Sequence, residues 1–244
     1  MHTNRPTIWL KSGTTKCKWD IVIPFEDMWL RLNKLTKLNG AMLLFGNEPF
    51  SSQLRCSNIK NYKYDWVWNK VVSNGHLVAK YRPMQQTENI SVFYRKKCTY
   101  NPQMREITEE EYKKKISKIP KKKTCQGSSE LIPPHKELSV EDRNLENYKY
   151  YYPNNILIYN RSSKECNNVK RVHPTQKPID LLEYLIKTYT NEGDLVLDFT
   201  MGSGSTGVAC LNLNRKFIGI ELEEKYFNIS INRIFENYNE NMHN

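Results

Sequence analysis

DLVLDFTMGSGSTGVAC, residues Asp194–Cys210, decides the fold class of this chain. Its apolar start reads as a short buried strand ending on a carboxylate, Asp198. Gly202, Gly204 and Gly207 follow at G-x-G-x-x-G spacing, and small residues then open a helix. Strand, glycine turn and helix in that order form a cradle in which backbone amides and a helix N-terminus approach a nucleotide-like ligand. Downstream, KFIGIEL (Lys216–Leu222) reads as a second buried strand carrying Glu221 at its end. A carboxylate there suits a ribose, in a dinucleotide site as well as in a nucleoside site.

Outward from this turn, the pattern remains that of an α/β sheet. HPTQKPIDLLEYLIKTYT (His173–Thr190) resumes helical spacing, with Leu181, Leu182, Leu185 and Ile186 on one side. Near the start, Asp20–Leu38 has helical spacing and runs into Asn39-Gly40, after which AMLLFG (Ala41–Gly46) reads as a strand buried on both faces. NEPFSSQLRCSNI reads as a helix, YKYDWVWNK and ENISVFYRK as strands, and EEKYFNISINRIFENY as a final helix.

Residues 98–168 differ in composition. Lysine runs (Lys113, Lys114, Lys115 and Lys121, Lys122, Lys123) alternate with prolines and polar residues, so this stretch reads as an insert, and Lys113–Asp142 as a solvated loop. The aromatic YKYYYPNNILIYN (Tyr148–Asn160) should return to the ordered body. Across all 244 residues the formal charge is +11, which favours a polyanionic partner. Cys17, Cys56, Cys98, Cys125, Cys166 and Cys210 show no C-x-x-C pair, so neither a metal centre nor a disulfide framework is expected. No run approaches the roughly 20 apolar residues that cross a bilayer, and no signal-like start is present. No membrane partner is expected, and the expected compartment is the cytoplasm.

Two motifs narrow the reading. Asp198-Phe199-Thr200-Met201-Gly202-Ser203-Gly204 and the upstream HPTQKP (His173–Pro178) together resemble the N6-adenine/N4-cytosine DNA methyltransferases in their β-type motif order. GTTKCKWD (Gly13–Asp20), AMLLFG, ENISVFY and the two motifs fall in that family's order, so the resemblance covers nearly the whole chain. It implies a mainly parallel, doubly wound seven-stranded sheet of the S-adenosylmethionine-dependent methyltransferase type with an inserted target-recognition region. The implied layout is a catalytic half at 1–97, a target-recognition insert at 98–168 and an S-adenosylmethionine-binding half at 169–244. The resemblance assigns Asp198, Phe199, Thr200, Gly202, Gly204, Thr206, Glu221, Thr175 and Lys177 to the cofactor, and the six insert lysines to double-stranded DNA. Site-specific methyl transfer to adenine N6, in a restriction-modification setting and on an extruded base, is the implied activity, with cytosine N4 open and monomer or homodimer undecided.

The family's D-P-P-Y segment should stand just before Gly13, where its acidic or amide side chain and a proline carbonyl accept from the target amine. Here that slot reads Trp9, Leu10, Lys11, Ser12. Lys11 is a donor where an acceptor is needed, and Ser12 offers no stacking surface. The chain also reads as starting too late for the family's upstream strand, and Gln85-Gln86-Thr87-Glu88 departs from the related Arg-x-His-Glu. Back-translation of His2–Trp9 one base out of frame permits Ile-Leu-Thr-Asp-(Leu or Pro)-Pro-Tyr-Gly. The expectation is a frameshifted, truncated gene whose product has no intact catalytic motif.

Overall fold

The computed structural model describes residues 7–10, 22–118, 149–160 and 172–242. Two compact units emerge, residues 1–101 with 154–244, and residues 102–153.

In the first unit the strands are β1 (Thr7–Leu10), β2 (Met42–Gly46), β3 (Tyr62–Asn74), β4 (Gln85–Phe93), β7 (Ile156–Ile158), β8 (Leu195–Asp198) and β9 (Lys216–Gly219). They lie in the order β7-β3-β4-β2-β1-β8-β9. β1 is parallel to both β2 and β8, β8 to β9, and β3 to β7, whereas β4 runs antiparallel to β2 and β3. β1, β2, β3, β7, β8 and β9 therefore end at one edge of the sheet. Such carboxyl edges are where open α/β sheets bind ligands.

The strand β2 shows why the sheet sits inside. All five of its residues are buried, and the first four, Met42–Phe45, alternate between two cores. Leu43 and Phe45 join Trp66, Trp68, Ile90 and the apolar stripe of α4 (Ile179–Tyr189), namely Leu181, Leu182, Leu185 and Ile186. Met42 and Leu44 join Met28, Trp29 and Leu32 of α1 (Phe25–Leu35) and Phe50 and Leu54 of α2 (Phe50–Ser57). Period-two alternation with apolar residues at every position is what burial on both faces requires. The far end of α4 is fixed by Tyr189, whose hydroxyl accepts from Trp66 Nε1 at 2.6 Å and lies 2.9 Å from the Tyr64 hydroxyl.

Three elements differ from the sequence reading. The first helix starts at Phe25, directly after Pro24, rather than near Asp20. It ends at Leu35 because Thr36 turns extended while its hydroxyl bonds Leu32 O at 2.7 Å. β9 is not a buried strand: it is the edge of the sheet among the described residues, Ile218 is 47% exposed, and the strand stops at Gly219, two residues before Glu221. In the second unit, residues Lys113–Ser117 are helical rather than loop. They belong to α3 (Glu109–Ser117), whose first turn carries a reciprocal capping box between Thr108 and Glu111.

That unit also contains β5 (Arg105–Glu106) paired antiparallel with β6 (Tyr150–Tyr151). Arg105 grips Glu111 through two bonds of 3.0 and 2.9 Å, and Lys115 donates to Tyr150 O at 2.7 Å beneath the Tyr151 ring. The final helix, α6 (Glu224–Met242), and α5 (Ser205–Asn212) complete the first unit. No described helix is long and apolar enough to cross a membrane.

Candidate functional site

At the carboxyl edge, β8 delivers Asp198 with only 1% of its surface exposed. One carboxylate oxygen accepts from Thr200 N at 3.1 Å, and the other from the Thr206 hydroxyl at 2.7 Å. The turn between these residues passes through left-handed backbone at Gly202 (φ 55°) and Gly204 (φ 76°). Its other side is held by Glu221, which accepts from Gly202 N at 2.8 Å and from Leu222 N and Glu223 N at 3.0 Å each. On sequence alone Asp198 and Glu221 have no structural role at the open ends of their strands; in the structure each carboxylate organises the turn, Asp198 from the strand side and Glu221 from the segment between β9 and α6.

The glycines also allow close packing within the protein: a Cβ on Gly204 would stand 2.8 Å from Ser230 Cβ, and one on Gly207 would stand 2.5 Å from Ile234 Cδ1 and 2.8 Å from Phe217, so these two positions approach α6 and β9. Arg233 of α6, buried, donates to the Ser203 carbonyl and the Ser205 hydroxyl. Arg233 stands among Ile231, Ile234 and Phe235, and a charged side chain there gives no signal of burial in the sequence.

One group in the turn is left with polar capacity to spare. The Thr200 hydroxyl oxygen is buried with no hydrogen-bond partner among the described residues. An orphaned buried hydroxyl costs free energy unless something completes it. Phe199 beside it packs against the cluster of Met42 and Leu44.

The HPTQKP segment is fixed at both ends. His173 is buried, its Nδ1 accepts from Thr175 N at 3.2 Å and meets the Thr175 hydroxyl at 3.1 Å, and its ring stands edge-on to Tyr226 of α6 at 4.2 Å. Lys177, which a surface position would leave solvated, is 7% exposed. Its ammonium donates to Glu88 at 2.6 Å and lies over the Phe45 and Trp68 rings. Lys70 reaches the other oxygen of Glu88 at 2.9 Å. Burial alone would raise the Glu88 carboxyl, but the Lys177 and Lys70 ammoniums outweigh it and hold the group down at about 2. Sequence reasoning treated Glu88 as part of a departure from pattern and did not place it with Lys177.

The D-P-P-Y slot begins inside β1. Trp9 stands opposite Asp198 and Leu10 opposite Leu44, so the place between β2 and β8 is filled by Thr7–Leu10. Lys11 and Ser12 lie outside the described residues, as do His2–Pro6, where the out-of-frame reading falls. Of the insert lysines, Lys113 and Lys114 are exposed on α3. Lys115 is committed to Tyr150 and Tyr151, and Lys121, Lys122 and Lys123 lie outside the described residues. Among the described residues no His, Cys, Asp and Glu cluster could hold a metal, and Cys56, Cys98 and Cys210 are free thiols.

A strand ending on Asp198, a left-handed glycine turn, a helix and a following carboxylate define an α/β protein of the nucleotide-cofactor class. The family model described as DNA methylase, covering the N6 and N4 enzymes, matches residues 20–232, and the chain belongs to that family. Relatives include the type II methyltransferase M.HpaI of Haemophilus parainfluenzae, 36% identical over 97 residues (40% of this chain, 31% of that protein). M2.DpnII of Streptococcus pneumoniae is 38% identical over 104 residues (38% and 39%). The chain thus spans between about a third and two fifths of the length of these two relatives. M1.MboII of Moraxella bovis matches at 27% identity over 237 residues, 88% of this chain and 82% of that one. Among solved structures, M1.HpyAVI in complex with SAM superposes with a TM-score of 0.56 at 24% identity, covering 94% and 89%. The cytosine-N4-specific PvuII DNA methyltransferase superposes at 0.56 and 16%, covering 97% and 85%. The α/β methyltransferase fold follows from these likenesses.

Proposed function

We propose that the first unit binds S-adenosylmethionine at the Asp198–Glu221 turn, and that the protein is by descent a site-specific DNA adenine-N6 methyltransferase that turns over little or not at all. The observation that supports the cofactor reading is the buried Thr200 hydroxyl, which has no hydrogen-bond partner among the described residues, in a turn that Asp198 and Glu221 brace through Thr200 N and Gly202 N. Asp198 would engage the cofactor's amino group, Glu221 its ribose hydroxyls, and Thr175 its methionine end, with Phe199, Gly202, Gly204, Thr206 and Lys177 shaping the walls. When bound, the cofactor supplies an electrophilic methyl group. The protein's own task is to extrude the base and accept hydrogen bonds from its amino protons, because the exocyclic lone pair is otherwise delocalised into the ring.

That second task is where this chain falls short. The strand parallel to β8 at this position is Thr7–Leu10, and the residues at and after its carboxyl end, Leu10, Lys11 and Ser12, supply no carboxylate or proline. Purified protein incubated with radiolabelled S-adenosylmethionine and adenine-containing duplex DNA is expected to incorporate no label above background. Robust incorporation into adenine would show that another acceptor replaces the missing motif, and label in cytosine N4 would reassign the target. A restriction-modification role, cytoplasmic location and DNA as partner belong to this same reading.

For DNA, the exposed pair Lys113 and Lys114 on α3 supports phosphate contact. Replacing both with alanine is expected to weaken duplex binding roughly tenfold and to lower the slope of log affinity against log salt by about 1.8, two phosphate contacts at about 0.9 each. Unchanged slope in fluorescence anisotropy across a salt series would remove α3 from the interface.

A further inference from the structure

Lys70, Glu88 and Lys177 come from three separate stretches of the chain and meet inside the first unit, where they are 5%, 6% and 7% exposed. Glu88 lies one residue beyond Asn89, which pairs with Gly46 at the end of β2, so its carboxylate stands at the same edge as Asp198. Its two oxygens are divided, one to Lys177 at 2.6 Å and one to Lys70 at 2.9 Å. Lys177 is the penultimate residue of the His173–Pro178 segment, directly before the first turn of α4. At its other end that segment rests on Tyr226 through His173. Gln176 N reaches His173 O at 3.2 Å, Thr175 N reaches His173 Nδ1 at 3.2 Å, Val172 N reaches the Gln176 side chain at 3.2 Å, and Leu182 N of α4 reaches Pro178 O at 3.3 Å.

We infer that Glu88 is a positioning residue: by gripping Lys177 it clamps the His173–Pro178 segment onto the β3–β4 ladder, and so fixes Thr175 where the cofactor's methionine end would lie. This rests on the cofactor reading above only for what the segment borders; the clamp itself is a property of the chain without ligand. The second ammonium, Lys70, anchors the carboxylate from β3, so that the segment is tied to two strands through one side chain. Breaking the pair by removing the carboxylate leaves two buried like charges, which threatens folding. Pairing Glu88→Gln with Lys70→Met leaves one buried ammonium instead of two facing each other, so the cluster keeps its net charge of one positive while both ion pairs to the carboxylate are lost.

Hydrogen exchange read by mass spectrometry on the full chain without ligand tests the clamp. In E88Q/K70M the amides of residues 172–178 are expected to exchange about tenfold faster or more, while those of Leu185–Tyr189 and Met42–Phe45 keep the parent's protection. Parent-like protection at 172–178 would overturn the inference, and so would an equal loss of protection in α4 and β2, since Glu88 would then hold the fold rather than the segment. Affinity for S-adenosylmethionine measured on the same variant is expected to fall about tenfold relative to the parent. A parent that binds no S-adenosylmethionine overturns the cofactor reading, while the exchange result still decides the clamp.

Discussion

Replacing Asp198 by alanine is expected to lower affinity for S-adenosylmethionine about 100-fold or more. Two losses combine. The carboxylate that would meet the cofactor's ammonium disappears, and hydrogen bonds to a charged group contribute about 1.5–3 kcal/mol each. The turn also relaxes, because Thr200 N and the Thr206 hydroxyl both lose their acceptor. A factor of 100 corresponds to about 2.8 kcal/mol, within reach of either loss. Asp198→Asn separates them, since its side-chain oxygen can still accept from Thr200 N while the charge is gone. Isothermal titration of both variants, with circular dichroism to confirm folding, checks the prediction. Affinity within threefold of the parent in D198A would remove Asp198 from the cofactor site.

The second large effect is on stability. Glu88→Gln leaves Lys70 and Lys177 facing each other in a buried site and is expected to destabilise the fold by about 3–5 kcal/mol at neutral pH. The same pair sets an acid dependence. The Glu88 carboxyl lies at about 2 in the folded chain against an ordinary 4.5, because its two ammonium neighbours outweigh burial. A depressed carboxylate contributes stability that is fully present above its unfolded value and is lost as pH falls through its folded value. Folding stability therefore declines between about pH 4.5 and pH 2 through this group, by an amount on the order of 3 kcal/mol. Urea unfolding at pH 7 and at pH 3 checks both statements. The gap between parent and E88Q should be widest at pH 7 and narrow toward pH 3, and a gap that does not change would place the ion pair outside the stability of the fold.

Much of the sheet was legible because burial on both faces leaves a plain trace. AMLLFG has no polar residue to turn outward, and LLEYLI repeats its leucines at helical spacing, so neither needed its neighbours to be read. The edge strand was not legible. KFIGI is as apolar as a central strand, and only its place beside β8, with no strand on its other side among the described residues, accounts for the exposure of Ile218. The helix α3 carried a readable start, Thr108 followed by Glu111, but the lysines after it drew the reading toward a solvated loop.

At the site, the residues of the turn were legible and their physics was only half so. Gly202, Gly204 and Gly207 read as a close approach of the backbone to a ligand, and that reading did not include the packing of Gly204 and Gly207 against α6 and β9. Packing across the chain has no local signature. Glu88 and Lys177 illustrate the same limit, since each alone resembles an ordinary surface charge and only folding brings them to 2.6 Å. The stretch Thr7–Leu10 is apolar enough for a central strand, and it lies between β2 and β8.

Calorimetric titration of the purified chain with S-adenosylmethionine, and separately with NADH, addresses the cofactor most directly. Saturable heat with one site for S-adenosylmethionine, and none with NADH, is the expected result. Saturation by NADH with no response to S-adenosylmethionine would contradict it.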